Sequence, residues 1–259
     1  FDTQVDWKEQ HYMLKAHFPA DLFYNDATFD IQYGNVRRAT HKNTSWDVAR
    51  FEVCAHKWMD VSEGNYGLSL MNDCKYGLSM NGNIMQLTLL RAAASPEMRA
   101  DNGAHRFTYA FTAWEGSFMD SPVVADAYAL NVPMQVAEGG CGRFSAFQVD
   151  APNVFIDTVK PAEDGSGDIV LRLYEAKRAD TFCRLTLNIP AAEVCLCDML
   201  ENPGERLDPQ DISLHFHLMD LLKVHDGLSI TEMMEALSER WLSFDREKVP
   251  DESTVRKKL

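Results

Sequence analysis

Short apolar runs, closely punctuated by turn residues, constrain this chain most. Thr28-Phe-Asp-Ile-Gln-Tyr33, Arg50-Phe-Glu-Val-Cys54, Gly67-Leu-Ser-Leu-Met71, Asn83-Ile-Met-Gln-Leu-Thr-Leu-Leu90, His105-Arg-Phe-Thr-Tyr-Ala-Phe111 and Asp168-Ile-Val-Leu-Arg-Leu-Tyr174 alternate or run apolar between Gly, Asn, Asp and Pro. Side chains alternate across a strand with a period of two, so such runs read as strands with one face turned to a core. Asn81-Gly82 and Asp164-Gly-Ser-Gly167 supply turn chemistry between them. Many short strands with few long helical periods predict a mainly β fold, an antiparallel β-sandwich. One short helix is predicted at Val123-Val-Ala-Asp-Ala-Tyr-Ala-Leu130, with Ser121 as cap and Pro122 in the first turn.

With 259 residues and 46% apolar content, the chain can bury a sizeable core. Its net charge of −14 repels phosphate backbones and anionic lipid, which sets nucleic acid and membrane aside as partners; neutral sugars remain compatible. Cys54, Cys74, Cys141, Cys183, Cys195 and Cys197 form no C-x-x-C pair and read as core thiols of a reducing compartment. The chain opens without a charged-plus-apolar leader, and no apolar run approaches the ~18 residues of a membrane span, so a cytoplasmic protein is expected.

Period and character change after residue 216. Leu214, Phe216, Leu218, Leu221 and Leu222 fit one helix face, ended by Asp226-Gly227. Ser229-Ile-Thr-Glu232 is a capping box ahead of Met233, Met234, Leu237 and Trp241, and Pro250-Asp251 opens a third helix. The expected organisation is therefore a β domain at 1–216 and a small three-helix unit at 217–259. That tail resembles the helix-turn-helix preceding a WYL domain in bacterial regulators. Arg256, Lys257 and Lys258 could meet phosphates there, but seven Lys or Arg against nine Asp or Glu leave 217–259 at −2, without a basic footprint.

Clusters along 1–216 carry a more specific resemblance. Val5-Asp-Trp7, Leu14-Lys15, Phe18-Pro19, Asn43-Thr-Ser-Trp-Asp47, Ala49-Arg-Phe-Glu52, His56-Lys-Trp58, Asn72-Asp73, Lys75-Tyr-Gly77 and Leu87-Thr-Leu-Leu-Arg91 come first. Ala127-Tyr-Ala-Leu-Asn131, Val149-Asp-Ala-Pro-Asn153 and Leu171-Arg-Leu-Tyr-Glu175 follow in order. Together they resemble the C-terminal β-sandwich region of glycoside hydrolase family 38 α-mannosidases, in the bacterial and cytosolic branch. The resemblance implies part of a galactose mutarotase-like super-sandwich, with an α-mannoside as the carbohydrate met and an N-terminal catalytic domain as partner.

It also implies a retaining mechanism, which needs two carboxyl groups roughly 5 Å apart, and a zinc ion held by His and Asp in the complete enzyme. No His-x-Asp pair occurs in the chain. No nucleophile, general acid, metal ligand or cofactor is therefore assigned within it. The chain is therefore expected to be inert alone, and the replacement of the family's next strand by Leu218-Met-Asp-Leu-Leu222 leads us to expect a fusion or truncated reading frame. A sandwich parted from its catalytic partner also exposes apolar surface, so self-association into a homo-oligomer is expected.

The candidate sugar-binding residues are Asn72, Asp73, Lys75 and Tyr76: two turn-forming polar residues, a cation and an aromatic that could stack on a pyranose. The alternative is an Asx turn with an exposed lysine ion pair. Asn43 and Asp47, with Trp46, form a second set, whose alternative is a loop cap with Trp46 in the core. Two other readings stay open: a sugar-binding sandwich without catalysis, and a sugar-responsive DNA-binding regulator.

Overall fold

The computed structural model describes residues 1–136, 138–139 and 143–216. The three-helix reading of 217–259 and Cys141 lie outside them. The chain divides into two compact units, Phe1–Glu138 and Gly139–Leu259.

The first unit runs β1 (Asp2–Trp7), β2 (Leu14–Pro19), β3 (Asp26–Ile31), β4 (Gly34–Ala39), α1 (Ser45–Ala49), β5 (Val53–Cys54), β6 (Trp58–Glu63), β7 (Tyr66–Asn72), β8 (Gly77–Asn81), β9 (Ile84–Leu90), β10 (Gly103–Glu115) and α2 (Val123–Asn131). A six-stranded antiparallel sheet, β1-β10-β7-β6-β3-β4, faces a four-stranded one, β2-β9-β8-β5. Phe29, Met59, Val61, Leu70 and Phe107 from the first sheet meet Leu78, Met85 and Leu87 from the second in one core. Burying each such side chain stabilises the fold by roughly 1.5–3 kcal/mol. This is the antiparallel sandwich that the alternation predicts.

β6 and β7 are also buried on their other face. Met59 and Val61 look into the core, whereas Trp58 and Asp60 alternate away from it. On that side α2 lies against β6 and β7 through Val123, Val124 and Ala127. Ser69 Oγ donates to Asp60 Oδ2 (2.5 Å), and Trp114 Nε1 donates to Asp60 Oδ2 (3.1 Å) and Ser69 Oγ (3.0 Å). The Trp114 ring crosses Gly67, where an added Cβ would sit 2.1 Å from Cζ2.

The sequence reading shifts in two places. Val53–Cys54 alone forms a strand within 50–54, because the preceding residues are drawn into α1 by a capping box. Asp47 N donates to Thr44 Oγ1 and Asp47 Oδ2 accepts from Thr44 N, each at 3.1 Å. At α2, Pro122 rather than Ser121 occupies the cap position; the Ser121 hydroxyl still accepts from Val123 N at 3.2 Å.

The second unit holds β11 (Phe147–Val149), β12 (Val154–Pro161), β13 (Ile169–Glu175), β14 (Thr181–Leu187), β15 (Val194–Cys197), β16 (Pro203–Leu207) and β17 (Ile212–Phe216). They pair antiparallel as β11-β14-β17, β12-β13 and β15-β16. The buried Glu175 carboxylate organises the bend after β13. It accepts from the amides of Lys177 (2.6 Å), Arg178 (2.7 Å) and Ala179 (3.1 Å), and from Asn153 Nδ2 (2.8 Å). Arg178 consequently holds a left-handed φ of 64° without being glycine. Among the described residues no helix is long and apolar enough to cross a membrane.

Candidate functional site

Asn72 ends β7 and anchors the turn that leads into β8. It is buried; its Nδ2 donates to the carbonyl of His56 (3.0 Å), and its Oδ1 accepts from the amide of Lys75 (2.6 Å). Its own amide donates to the Lys57 carbonyl (3.0 Å), and its carbonyl accepts from Asn131 Nδ2 (2.9 Å) at the end of α2. One asparagine thus ties its own turn, Asn72-Asp73 and Lys75-Tyr-Gly77, to His56-Lys-Trp58 and to the distant Ala127-Tyr-Ala-Leu-Asn131. This is an Asx turn, and it uses the side chain for architecture.

The neighbours fix the turn from both sides. Asp73 Oδ2 accepts from the amide of Thr108 on β10 (2.9 Å), and burial pushes the adjacent Cys74 thiol up to about 11. Lys75 Nζ lies 4.5 Å from the centre of the Phe107 ring. Tyr76 is 56% exposed and meets the His56 ring edge-on at 5.8 Å, so its phenol faces outward while its body is braced. Gly77 passes against Glu52, where a Cβ would lie 2.7 Å from Glu52 Oε1. That carboxylate is held by Thr88 Oγ1 and by Lys15 Nζ (3.3 Å). An alanine here would push the Glu52 carboxylate away from these two partners.

Beside this turn sits a pair that sequence reasoning missed. Asp30 on β3 is 2% exposed, and its Oδ2 accepts from the Lys57 amide (2.9 Å) and lies 3.2 Å from Lys57 Nζ. Burial raises the Asp30 pKa, opposed by these bonds to Lys57. Lys57 Nζ also stands 4.9 Å from the centre of the Tyr128 ring. The one available signal was an acid placed inside an apolar strand run. The arrangement can present an aromatic ring and hydrogen-bonding edges to a neutral polyhydroxy ligand.

Asn43 and Asp47 fall elsewhere. Asn43 is exposed, and its amide faces His41 Nδ1 at 3.4 Å. Asp47 caps α1, and the Thr44 hydroxyl (2.7 Å) holds its carboxyl below the usual range. Trp46 is 78% exposed, which corrects its reading as a core aromatic: the helix is only five residues long and turns that ring outward. Among the described residues no group of three or more His, Cys, Asp or Glu is placed to hold a metal ion.

Comparison with known proteins accords with the β fold. Residues 1–99 match the family described as glycosyl hydrolases family 38 C-terminal domain, and residues 153–221 match the family 38 C-terminal beta sandwich domain. Human Alpha-mannosidase 2C1 is 48% identical over 209 residues, covering 78% of this chain and 20% of that protein. Alpha-mannosidase G of Dictyostelium discoideum is 38% identical over 215 residues, covering 79% of this chain and 20% of that protein. The crystal structure of an alpha-mannosidase from Enterococcus faecalis V583 superposes with a TM-score of 0.70 at 17% identity, over 83% of this chain and 27% of that one, a likeness of fold.

The chain is thus a β-sandwich region of the kind built into larger proteins, and it spans about a fifth of the length of the curated relatives it matches. It belongs to glycosyl hydrolase family 38, as a C-terminal region of that family.

Proposed function

We propose that this region forms the supporting wall of the sugar cleft in a retaining, zinc-dependent α-mannosidase and is inert alone. The observation that carries the reading is the convergence of three sequence clusters on Asn72, which leaves Tyr76 exposed beside His56. An aromatic face braced by a buried polar turn suits a pyranose, whose axial C–H groups stack while its hydroxyls hydrogen-bond. Lys75 and Asn72 hold the turn in place, and Tyr76 makes the contact.

The nucleophile, the general acid and the zinc ligands belong to a catalytic partner domain. Zinc in this reading is held by that partner domain. We also infer a boundary near residue 216, after β17, with 217–259 as a separate unit. The reading also includes a cytoplasmic setting, in keeping with free thiols at Cys54, Cys74, Cys183, Cys195 and Cys197; only Cys183 is buried, and the exposure of Cys54, Cys74 and Cys197 corrects their reading as core thiols.

Amide chemical shifts of the purified chain, followed during addition of methyl α-mannoside, test the wall. Saturable changes confined to residues 56–58 and 72–77, lost in Tyr76→Ala, support it; no change there overturns it. Release of nitrophenol from an α-mannoside by this chain with added Zn²⁺ would refute its inertness.

A further inference from the structure

The end of β4 and the segment leading to α1 gather cations in a strongly acidic protein. Arg38, His41, Lys42 and Arg50 line one cleft together with Asp47, Phe29, Ser79 and Met80. Three permanent positive charges stand there against a single carboxylate. None of Asn72, Asp73, Lys75 or Tyr76 lines the cleft.

Arg38 is the pre-set element. Its guanidinium lies 4.9 Å from the centre of the Phe29 ring, and Phe29 is 2% exposed, so the side chain is laid along the wall of the sandwich. Its Nη1 is buried and has no hydrogen-bond partner. A buried donor without a partner is uncommon in a folded protein, and Trp7 Nε1 and Trp58 Nε1 share the condition here; Arg38 differs from them in carrying a charge and in lining a cleft.

The one nearby acid cannot supply that partner. Asp47 Oδ2 is taken by the amide and hydroxyl of Thr44, and Oδ1 is 3.9 Å from Arg50. Among the described residues no carboxylate lies within ion-pair distance of the Arg38 or Lys42 head groups. Burial, and further down the positive charge of Arg50, lower the Arg38 pKa, so the cation is held at a cost that an incoming anion would relieve.

We propose that this cleft binds a small oxyanion of the phosphate type, with Arg38 as the buried anchor and Arg50 and Lys42 closing on it from the rim. A planar guanidinium fork matches tetrahedral oxyanions in two-point contact, and adjacent cations select for a doubly charged ligand over chloride. The site differs from the sugar-facing turn in both ligand and residues, and it does not rest on that turn's role.

Titration calorimetry of the full chain with inorganic phosphate, at ionic strength matched by sodium chloride, is the test. One saturable site is expected, weakened by about tenfold or more in Arg38→Met and in Arg50→Gln. The Arg50 side chain is 57% exposed, so Arg50→Gln leaves the fold intact if Arg38→Met does not. Equal binding of phosphate and glucose 6-phosphate identifies the free ion as ligand; tighter binding of the ester identifies a sugar phosphate, and either supports the site. No saturable heat up to about 20 mM phosphate, or unchanged affinity in Arg50→Gln, overturns it.

Discussion

Replacing Gly67 by alanine probes whether the outer face of the large sheet is as closely fitted as its geometry states. The new methyl would meet Trp114 at 2.1, 2.4 and 2.8 Å, whereas ordinary contact begins at 3.4 Å. The indole must therefore retreat by roughly 1 Å or more. Its Nε1 bonds to Asp60 and Ser69, at 3.1 and 3.0 Å, would break in a site where both partners are fully buried. A lost hydrogen bond to a carboxylate costs about 1.5–3 kcal/mol, and overpacking adds about 1–3 kcal/mol. Reduced chain entropy in the unfolded state returns only about 0.4–1 kcal/mol. The net expectation is a loss of about 2–5 kcal/mol.

Urea unfolding followed by tryptophan fluorescence reads this directly, because four of the five tryptophans lie within residues 1–138. With a slope of about 2–3 kcal/mol per molar, the midpoint should fall by about 1–2 M. The cause is isolated by repeating Gly67→Ala in a Trp114→Leu background, where it should cost less than about 1 kcal/mol. An unchanged or raised midpoint in the single variant would refute the packing argument.

Asn72→Ala should destabilise the first unit by about 2–4 kcal/mol, because the His56 carbonyl and the Lys75 amide both lose their partner; the same urea series checks it. The Asp47 carboxyl is held below 3.8 by the Thr44 hydroxyl, so its cap contributes stability above pH 3.8 and loses it as pH falls further. The gap in melting temperature between the unaltered chain and Asp47→Ala should accordingly be smaller at pH 3 than at pH 7, and an equal gap would refute the assignment.

The strands were legible because their signal is local. Alternation at residues 67–71, 83–90 and 105–111 needs only neighbouring residues, and the structure places β7, β9 and β10 there. The Asn81-Gly82 turn was legible for the same reason, Gly82 adopting a φ of +59°. Residues 50–54 were harder, since a strand-like composition competes with the capping box of Thr44 and Asp47, and the cap wins for the first part.

The site was partly legible. Asn72 to Gly77 stood out as a polar cluster, but nothing local tells that Asn72 spends both side-chain atoms inside the protein. Asp30 was hidden because its partner Lys57 is 27 residues away. Gly77 and Glu52 likewise meet only through the pairing of β5 with β8.

In the second unit, Glu175 plays toward its loop the part that a captured ion plays elsewhere, with the difference that it is covalently attached and always present. The bend from β13 to β14 is thereby fixed in length as well as in shape. One inserted residue would lift an amide off the carboxylate, and one deleted residue would leave an oxygen dry and unmatched. A change of length in this bend therefore costs bonds to a charged acceptor, each worth about 1.5–3 kcal/mol.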